Sequence, residues 1–314
     1  MLLATDLAAA VNAFDLASWS GARLQAVESA LESWVRVDAG SELAHGARVQ
    51  LVQAMRYAVL DGGKRLRPLL VLAACEAVGG DAKLALRPAC ATELIHAYSL
   101  VHDDMPCMDD DVLRRGKPTV HVQFGEAMAL LAGDALQAMA FELLTPAEAP
   151  VPAAMQARWC RLLARAAGSA GMAGGQAIDL ASVGRQISEA QLCSMHRLKT
   201  GALLQGSVMM GAACGRASAA QSAALSCYGA AIGLAFQVVD DILDVTADSS
   251  MLGKTAGKDA QAGKPTYVSI LGLEPSRAYA QQLLHEALAA LDRVALQDDR
   301  ALRALADTVV NRFN

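Results

Sequence analysis

Apolar residues recur every three or four positions along most of the chain, which is the spacing of one face of an α-helix. The pattern predicts helices over 23–37, 49–60, 69–78, 90–102, 121–144, 154–167, 191–208, 222–245 and 276–313. Turns rich in glycine or proline separate several of them, at 79–88 and 145–152. Residues 1–20 are rich in alanine and are interpreted as a frayed first helix or an extension. The periodicity therefore predicts an all-α protein.

The composition supports helices over sheets. Aromatic residues make up 4% of the chain, and 54% of it is hydrophobic with 19% charged. Alanine and leucine abound, and they lead the helix-propensity ranking, whereas β-branched and aromatic residues favour strands. A length of 314 residues allows a large core in one or two domains. The net charge of −5 argues against a nucleic-acid surface, so any anion binding is expected to be local.

Two further features bear on the cellular setting. The seven cysteines show no zinc-ligand spacing and no signal-peptide pattern is present, which predicts reduced thiols in a cytoplasmic protein. Residues 217–239 carry no charge and are long enough to cross a bilayer. Because Asp240 and Asp241 follow at once, a buried helix is favoured over a membrane span, and no membrane insertion is expected.

A first acidic cluster follows the predicted helix 90–102. Five aspartates fall within nine residues, and three basic residues come next: Asp103, Asp104, Asp109, Asp110, Asp111, Arg114, Arg115 and Lys117. Carboxylates at the end of a buried helix need cations, and hard oxygen ligands suit Mg²⁺, which also binds substrate phosphates. Pro106 interrupts the helix, which allows Asp109 to turn back towards the same ion.

A second acidic cluster lies inside the predicted helix 222–245. Gln237, Asp240, Asp241 and Asp244 are spaced at i, i+3, i+4 and i+7, so they form one polar stripe on an otherwise apolar helix. Carboxylates one turn apart can bind a shared cation without distorting the helix. Without a cation they would repel each other beside the core, so an ordinary solvated face explains them poorly.

Basic and polar residues elsewhere are candidates for anion binding. Gly62 and Gly63 precede a run with three cations, Lys64, Arg65 and Arg67, which fits either an anion site or a solvated turn. His96 shares a helix face with Asp103, which favours a place in the same cavity and leaves a structural role equally open.

Two more sets of cations have open interpretations. Lys199 and Thr200 lie in an otherwise uncharged stretch, where a lysine must meet an anion or extend to the surface. Lys254, Lys258 and Lys264 each follow a glycine, as in a mobile lid or a plain exposed loop. The segment 171–180, with two glycines, Gln176 and Asp179, is a weak signal by itself.

Taken together, the clusters predict a cavity in which Mg²⁺ bridges protein carboxylates and a diphosphate. Such a metal would make diphosphate a leaving group by neutralising its developing charge. The chain contains no Walker motif, no GxGxxG and no histidine-zinc pattern, so nucleotide hydrolysis and redox chemistry have no support. A polar mouth over apolar helical walls fits an allylic diphosphate.

The two clusters resemble the aspartate-rich motifs of the trans-isoprenyl diphosphate synthases, most closely the bacterial farnesyl diphosphate synthases. Asp103, Asp104 and Asp109 match the longer form of the first motif. Asp240, Asp241 and Asp244, preceded by Phe236 and Gln237, match the second, and the resemblance extends from about residue 20 to near the end. It implies one domain over 1–314, an isoprenoid-synthase bundle of about ten or more mostly antiparallel helices around a central cavity. It also implies a homodimer.

The resemblance further implies roles for individual residues. The expected metal ligands are Asp103, Asp104, Asp109, Asp240 and Asp244, with Asp241 and Lys199 completing the catalytic set. The expected residues for isopentenyl diphosphate are Lys64, Arg67, His96 and Arg115, with Gly63 beside them. The expected residues for the allylic diphosphate are Arg114, Lys199, Thr200, Gln237, Lys254 and Lys264. About three Mg²⁺ ions would bind with the diphosphate, and Mn²⁺ could replace them.

The implied reaction condenses isopentenyl diphosphate with dimethylallyl and then geranyl diphosphate, by ionisation, condensation and elimination. Tyr98 and Ser99 precede Asp103 by five and four residues, about 7.5 and 6 Å along a helix. By the family's rule an aromatic residue at the position of Tyr98 is the floor that stops growth at farnesyl diphosphate. A geranylgeranyl diphosphate synthase and a non-catalytic subunit of a heteromeric synthase are the alternatives. Since Arg312 is the only basic residue at the carboxyl end, no C-terminal basic flap over the site is expected.

Overall fold

Helices account for nearly all the regular structure in the computed structural model, which describes residues 14–36, 46–60, 62–147, 151–246 and 264–312. In chain order these are α1 (Leu16–Trp34), α2 (Gly46–Val59), α3 (Leu66–Ala77), α4 (Ala82–Asp103), α5 (Val120–Phe124), α6 (Glu126–Leu144), α7 (Ala153–Ala167), α8 (Met172–Ser182), α9 (Glu189–His196), α10 (Ala202–Ala212), α11 (Ala219–Thr246), α12 (Tyr267–Leu271), α13 (Leu273–Asp292) and α14 (Arg300–Val310). A π-helical turn, Arg197–Gly201, joins α9 to α10. A two-stranded hairpin, β1 (Leu113–Arg114) and β2 (Lys117–Pro118), follows α4. The prediction of an all-α fold is confirmed.

Helix α4 carries the first acidic cluster and starts earlier than the sequence predicted. Its N-cap is Asp81, whose carboxylate accepts a hydrogen bond from the backbone N–H of Lys83 at 2.8 Å. The predicted turn over 79–88 is therefore wrong from residue 82 onwards. Pro88 lies inside the helix, where it removes one backbone donor, but its ring is buried among apolar neighbours. Packing thus outweighs the lost hydrogen bond.

Two other predicted helices are interrupted in the structure. The stretch 121–144 divides into α5 and α6 at Gly125, whose φ of 88° is open to glycine and costly for other residues. The stretch 276–313 divides into α13 and α14. The periodic pattern gave the apolar faces in both cases and missed the chain reversals between them.

The buried apolar side chains form two clusters that share helices. Helix α3 gives Val71 and Leu72 to one cluster, and Leu69 and Leu70 to the other. Helix α10 divides its side chains between the clusters in the same way. These two helices are consequently buried on more than one side and lie between the two clusters, near the centre of the bundle.

Two described helices, α6 and α11, are long and apolar enough by composition to cross a membrane. In α11, 61% of that stretch is buried inside the protein, which is typical of a core helix. All but the first two residues of the uncharged segment 217–239 belong to α11, so the apolar character of the segment is explained by packing. None of the seven cysteines forms a disulfide.

Candidate active site

A cavity of about 440 Å³ opens between α3, α4, α8, α11 and the π-helical turn. Its lining includes charged and polar side chains: Arg67, His96, Ser99, His102, Asp103, Gln176, Lys199, Thr200 and Asp240. It also includes apolar and aromatic side chains: Tyr98, Leu100, Met108, Met172, Ala173, Ala177, Leu180 and Phe236. Polar and apolar side chains therefore line the same cavity.

The first acidic cluster folds back onto the end of α4. The backbone N–H of Asp109 donates to the carbonyl of Asp103 at 2.9 Å, and that of Asp111 donates to the carbonyl of Asp104 at 3.1 Å. Asp103 lines the cavity, where its Oδ1 accepts a hydrogen bond from Nε2 of Gln176 at 2.9 Å. Burial raises the pKa of Asp103 to about 6, although Lys199 opposes the shift. A cation at this carboxylate would further favour its ionised form.

Asp104 was expected to bind metal, and the structure gives it a different partner. Its carboxylate is 2% exposed and receives two hydrogen bonds from Arg114, from Nε at 2.7 Å and Nη2 at 2.5 Å. Neither residue lines the main cavity; both line a smaller pocket beside it. Arg114 is thus engaged by Asp104 in this structure, and its expected contact with the allylic diphosphate stays a prediction.

The hairpin places Arg115 against the glycine-rich loop. Arg115 and Gly116 connect β1 to β2 with φ values of 53° and 77°, the left-handed pair required by a tight two-residue turn. The Arg115 guanidinium donates to the carbonyl of Gly62 at 2.5 Å. A Cβ on Gly63 would lie 2.9 Å from Nη1 of Arg115, so a side chain at position 63 would require the guanidinium to shift.

Two of the residues expected to hold isopentenyl diphosphate reach the cavity, whereas Arg115 lines the smaller pocket beside it. Arg67 and His96 line the cavity, and the buried Nε of Arg67 has no hydrogen-bond partner. Burial, followed by the charges of Arg67 and Arg115, lowers the pKa of His96 well below its usual value, so the imidazole is neutral near pH 7. Lys64 lies on the same loop with an exposed side chain. Such a group of cations is matched to an anion.

Asp240 presents the second acidic cluster to the cavity, and its partner is the C-terminal Arg312. Nη2 of Arg312 donates to Oδ1 of Asp240 and to the carbonyl of Phe236, the latter at 3.0 Å. The same guanidinium stacks 4.4 Å above the Phe236 ring. The sequence predicted no C-terminal basic flap, and the structure shows that Arg312 itself reaches Asp240, since the turn after α14 returns this residue to α11.

The rest of the second cluster is buried and links helices. Asp241 and Asp244 are 2% and 4% exposed, and neither lines the cavity. The carboxylate of Asp241 accepts hydrogen bonds from Gln237 Nε2 at 2.9 Å and from the backbone N–H of Tyr267 at 2.8 Å. Oε1 of Gln237 accepts one from Thr200 Oγ1 at 2.8 Å. These contacts join the π-helical turn to α11 and α12.

Lysines neutralise two more carboxylates near the cavity. Nζ of Lys199 donates to Oδ2 of Asp179 at 2.5 Å, and Nζ of Lys264 donates to Oδ1 of Asp109 at 2.9 Å. The π-helical turn, a feature frequent at functional sites, places Lys199 and Thr200 at the cavity wall. Lys254 lies outside the described residues.

Two contributors were not predicted as site residues. Gln176 and Asp179, from the weak signal at 171–180, pair with Asp103 and Lys199. Their spacing of three residues on an apolar helix was the available signal. Arg65, one of the three cations considered for anion binding, is buried away from the cavity lining, where it binds Glu28 and Glu93. Nothing in the sequence distinguishes it from the exposed Lys64 beside it.

The carboxylates suit Mg²⁺ in chemistry without forming a finished metal site. Within the described ranges, no group of three or more potential ligand side chains is assembled. Asp103 and Asp240 nevertheless supply hard oxygen donors to the same cavity, from α4 and α11. The cations that now neutralise Asp109 and Asp240 would have to move when a metal binds. The donor set thus fits Mg²⁺, with Asp103, Asp109 and Asp240 best placed to hold it.

Comparison with known proteins agrees with this geometry. The polyprenyl synthetase family profile matches residues 48–304. A probable farnesyl diphosphate synthase from Sinorhizobium fredii is 51% identical over 265 residues, 83% of this chain and 79% of the relative. A chloroplastic geranylgeranyl pyrophosphate synthase from Catharanthus roseus is 44% identical over 304 residues, 96% of this chain and 83% of the relative.

A solved structure shares the fold as well. The Helicobacter pylori geranyltransferase, in complex with magnesium and isoprenyl diphosphate, superposes with a TM-score of 0.81 at 34% identity. The alignment covers 96% of this chain and 98% of that one. With the helical bundle, the paired aspartate motifs and the family match in agreement, this chain belongs to the polyprenyl synthetase family and is a trans-prenyl diphosphate synthase.

Proposed function

We propose that this trans-prenyl synthase makes (E,E)-farnesyl diphosphate from isopentenyl diphosphate and dimethylallyl diphosphate, through geranyl diphosphate. The family implies isopentenyl and allylic diphosphates as substrates. Its members include synthases of both farnesyl and geranylgeranyl diphosphate among the relatives of this chain. The product is therefore decided by the depth of the cavity.

One observation supports the farnesyl product most directly. Tyr98 and Ser99 both line the cavity on α4, one turn or slightly more below Asp103. The small Ser99 leaves space for a chain longer than geranyl. The Tyr98 ring is a bulky obstacle on the same helix, and it meets the His102 ring edge-on at a centroid distance of 5.7 Å. This arrangement favours growth beyond ten carbons and a stop at fifteen.

The charged side chains suggest where each diphosphate binds. Arg67, Arg115 and neutral His96 form a cationic, hydrogen-bonding surface for isopentenyl diphosphate. Lys199, Thr200 and Lys264 lie on the side of the allylic diphosphate, where Lys199 would exchange Asp179 for phosphate oxygens. Mg²⁺, when bound by Asp103, Asp109 and Asp240, would neutralise negative charge on that diphosphate.

The reaction needs no nucleophilic side chain. The C1–O bond of the allylic diphosphate breaks and its electron pair leaves with the diphosphate. The double bond of isopentenyl diphosphate attacks C1 through C4, and the C2 proton passes to the departing diphosphate. Apolar walls, including Met172, Ala177 and Phe236, keep water away from the allylic cation. The cations hold both diphosphates in a geometry for attack.

A homodimer in the cytoplasm is part of the same proposal. Three large apolar side chains on α5 and α6 are about half exposed: Val122, Leu130 and Leu131, at 50%, 47% and 52%. Covering them with a second copy would remove apolar surface from water. Light scattering on the purified protein would distinguish a dimer from a monomer, and Leu131→Asp should weaken a dimer that uses this face.

The chain-length proposal is tested by two substitutions with opposite effects. With Mg²⁺, isopentenyl diphosphate and dimethylallyl diphosphate, Tyr98→Ala should lengthen the product because the obstacle is removed. Ser99→Phe should shorten it, because a ring would fill the space one residue nearer to Asp103. Reverse-phase separation of the dephosphorylated products measures both shifts. If neither variant changes the product, Tyr98 is not the floor.

Two alternatives give different results in the same assay. A geranylgeranyl diphosphate synthase, favoured by the chloroplastic relative that aligns over 96% of the chain, would make a C20 product with the wild-type protein. A non-catalytic subunit would make no product from either allylic substrate.

A further inference from the structure

The apolar end of the cavity is supported from behind by a contact between α4 and α6. Tyr98 and His102 are one helical turn apart on α4, so they share a face. Both line the cavity, and their rings pack edge-on at an interplanar angle of 74°. A change in the position of His102 is therefore transmitted to Tyr98.

Helix α6 fixes the position of His102 at two points. Nε2 of His102 lies 3.1 Å from the carbonyl oxygen of Leu130. A carbonyl oxygen only accepts, so Nε2 carries a proton and donates it. The imidazole also occupies the space that a side chain at Gly133 would need: a Cβ there would lie 2.1 Å from Nε2 and 2.5 Å from Cδ2. The ring thus sits in a notch that exists because residue 133 is glycine.

Helix α6 also approaches Tyr98. The side chain of Gln137, one turn beyond Gly133, lies near the Tyr98 hydroxyl, where it partly offsets the raising of the Tyr98 pKa by burial. Gln137 is exposed, whereas Gly133 is buried. Two successive turns of α6 accordingly position two successive turns of α4.

We propose that Gly133 and Gln137 are specificity-determining positioning residues, which set product length by fixing the His102 and Tyr98 side chains at the end of the cavity. The inference rests on the proposed chain-elongation function and adds a second helix to the residues that limit the product. An ordinary contact needs at least 3.4 Å, so a methyl group at Gly133 forces the imidazole more than 1 Å away from α6. Because the ring also packs against Tyr98, we expect this displacement to push towards Tyr98 and to shorten the cavity.

Product distributions from four variants test this inference. Gly133→Ala should lower the ratio of farnesyl to geranyl product about fivefold, as expected for overpacking at a filled site. His102→Ala should raise the fraction of longer products because it enlarges the cavity. In the double variant, Gly133→Ala should have no further effect, since the ring that it displaces is absent. Gly21→Ala is the matched control: Gly21 lies in α1 with no atom within 4 Å of an added Cβ, and its product distribution should equal that of the wild type.

A second pair of variants keeps the test decisive if Gly133→Ala does not fold. Gln137→Leu changes an exposed side chain, so the fold should survive. Gln137→Leu should shift the product distribution in the wild-type background. In a Tyr98→Phe background it should cause no shift, because the phenylalanine lacks the hydroxyl that Gln137 approaches.

The outcomes separate this inference from the proposed function. The inference would be overturned if Gly133→Ala shifted the product distribution equally in the wild-type and His102→Ala backgrounds. It would also be overturned if Gly133→Ala and Gln137→Leu both gave the wild-type product distribution. A wild-type C20 product would contradict the farnesyl proposal and leave this coupling intact. A wild-type C15 product, together with no effect of the His102 ring on the Gly133→Ala shift, would support the farnesyl proposal and contradict this inference.

Discussion

Arg65 forms two ion pairs of equal length and different burial, which permits a direct test of what holds the glycine-rich loop in place. Its Nη1 lies 2.7 Å from Oε1 of Glu93, and its Nε lies 2.7 Å from Oε1 of Glu28. The Arg65 and Glu93 side chains are 2% and 4% exposed, whereas that of Glu28 is 38% exposed. Burial lowers the pKa of Arg65, but the two carboxylates outweigh it and leave a net raised pKa.

The two pairs should differ strongly in their contribution to stability. Glu93→Leu leaves a buried guanidinium with one partner fewer and should cost about 3–5 kcal/mol, the range for breaking a buried pair. Glu28→Leu removes a half-exposed partner and should cost about 1 kcal/mol or less, because water screens that charge. At about 2–4 °C per kcal/mol, the conversion for large domains, Tm should fall by roughly 6–20 °C for Glu93→Leu and by under about 4 °C for Glu28→Leu.

Thermal melts followed by circular dichroism measure both variants against the wild type. A functional consequence should accompany the loss of stability. Arg65 holds a left-handed backbone conformation, φ 47°, between Lys64 and Arg67. Loosening it should raise KM for isopentenyl diphosphate more than KM for the allylic substrate. Equal Tm losses for Glu93→Leu and Glu28→Leu would refute the argument from burial, and equal KM changes would refute the link to the loop.

Further predictions concern His196, Arg312 and the metal. Burial lowers the pKa of His196 to about 4, although Asp241 Oδ2 lies 3.9 Å away. As the pH falls below about 6.5, His196 is protonated in the unfolded chain but not in the folded protein, so protonation favours unfolding. The free energy of unfolding should therefore drop by roughly 2 kcal/mol from pH 7 to 5. Denaturant melts of His196→Phe should lack that part of the drop. Arg312→Met removes the cation that competes for Asp240, and calorimetry with diphosphate present should show Mn²⁺ binding about three- to fivefold tighter; weaker binding would mean that Arg312 assists the metal. Chelation by EDTA should abolish condensation, and Mg²⁺ should restore it, whereas activity that survives chelation would exclude a metal requirement.

The sequence predicted those parts of the site that depend on one helix. The stripe formed by Gln237, Asp240 and Asp244 follows from helical periodicity, and so does the shared face of His96 and Asp103. The helix boundaries that it missed depend on packing. Pro88 would end most helices, yet its buried ring is tolerated inside α4.

Contacts between distant segments were beyond the sequence pattern. Arg312 meets Asp240 across 72 residues, and Arg115 meets Gly62 across 53. Each needs a chain reversal whose direction no local pattern specifies. The same limit applies to the contact between Arg114 and Asp104, which forms because the hairpin returns Arg114 to the end of α4. Contacts of this kind are therefore visible only in the folded structure, where the helices that carry the two residues are packed together. Metal binding by Asp104 stays a prediction.

Sizing the products of the wild-type protein tests the central claim most directly. The purified chain would be incubated with Mg²⁺, radiolabelled isopentenyl diphosphate and dimethylallyl diphosphate, and the dephosphorylated products would be separated by length over time. We predict that geranyl product appears first and is converted to farnesyl product, which then accumulates. Label that accumulates in a C20 product would contradict the proposed cavity depth, and the absence of any labelled prenyl product would contradict the assignment of this site to prenyl transfer.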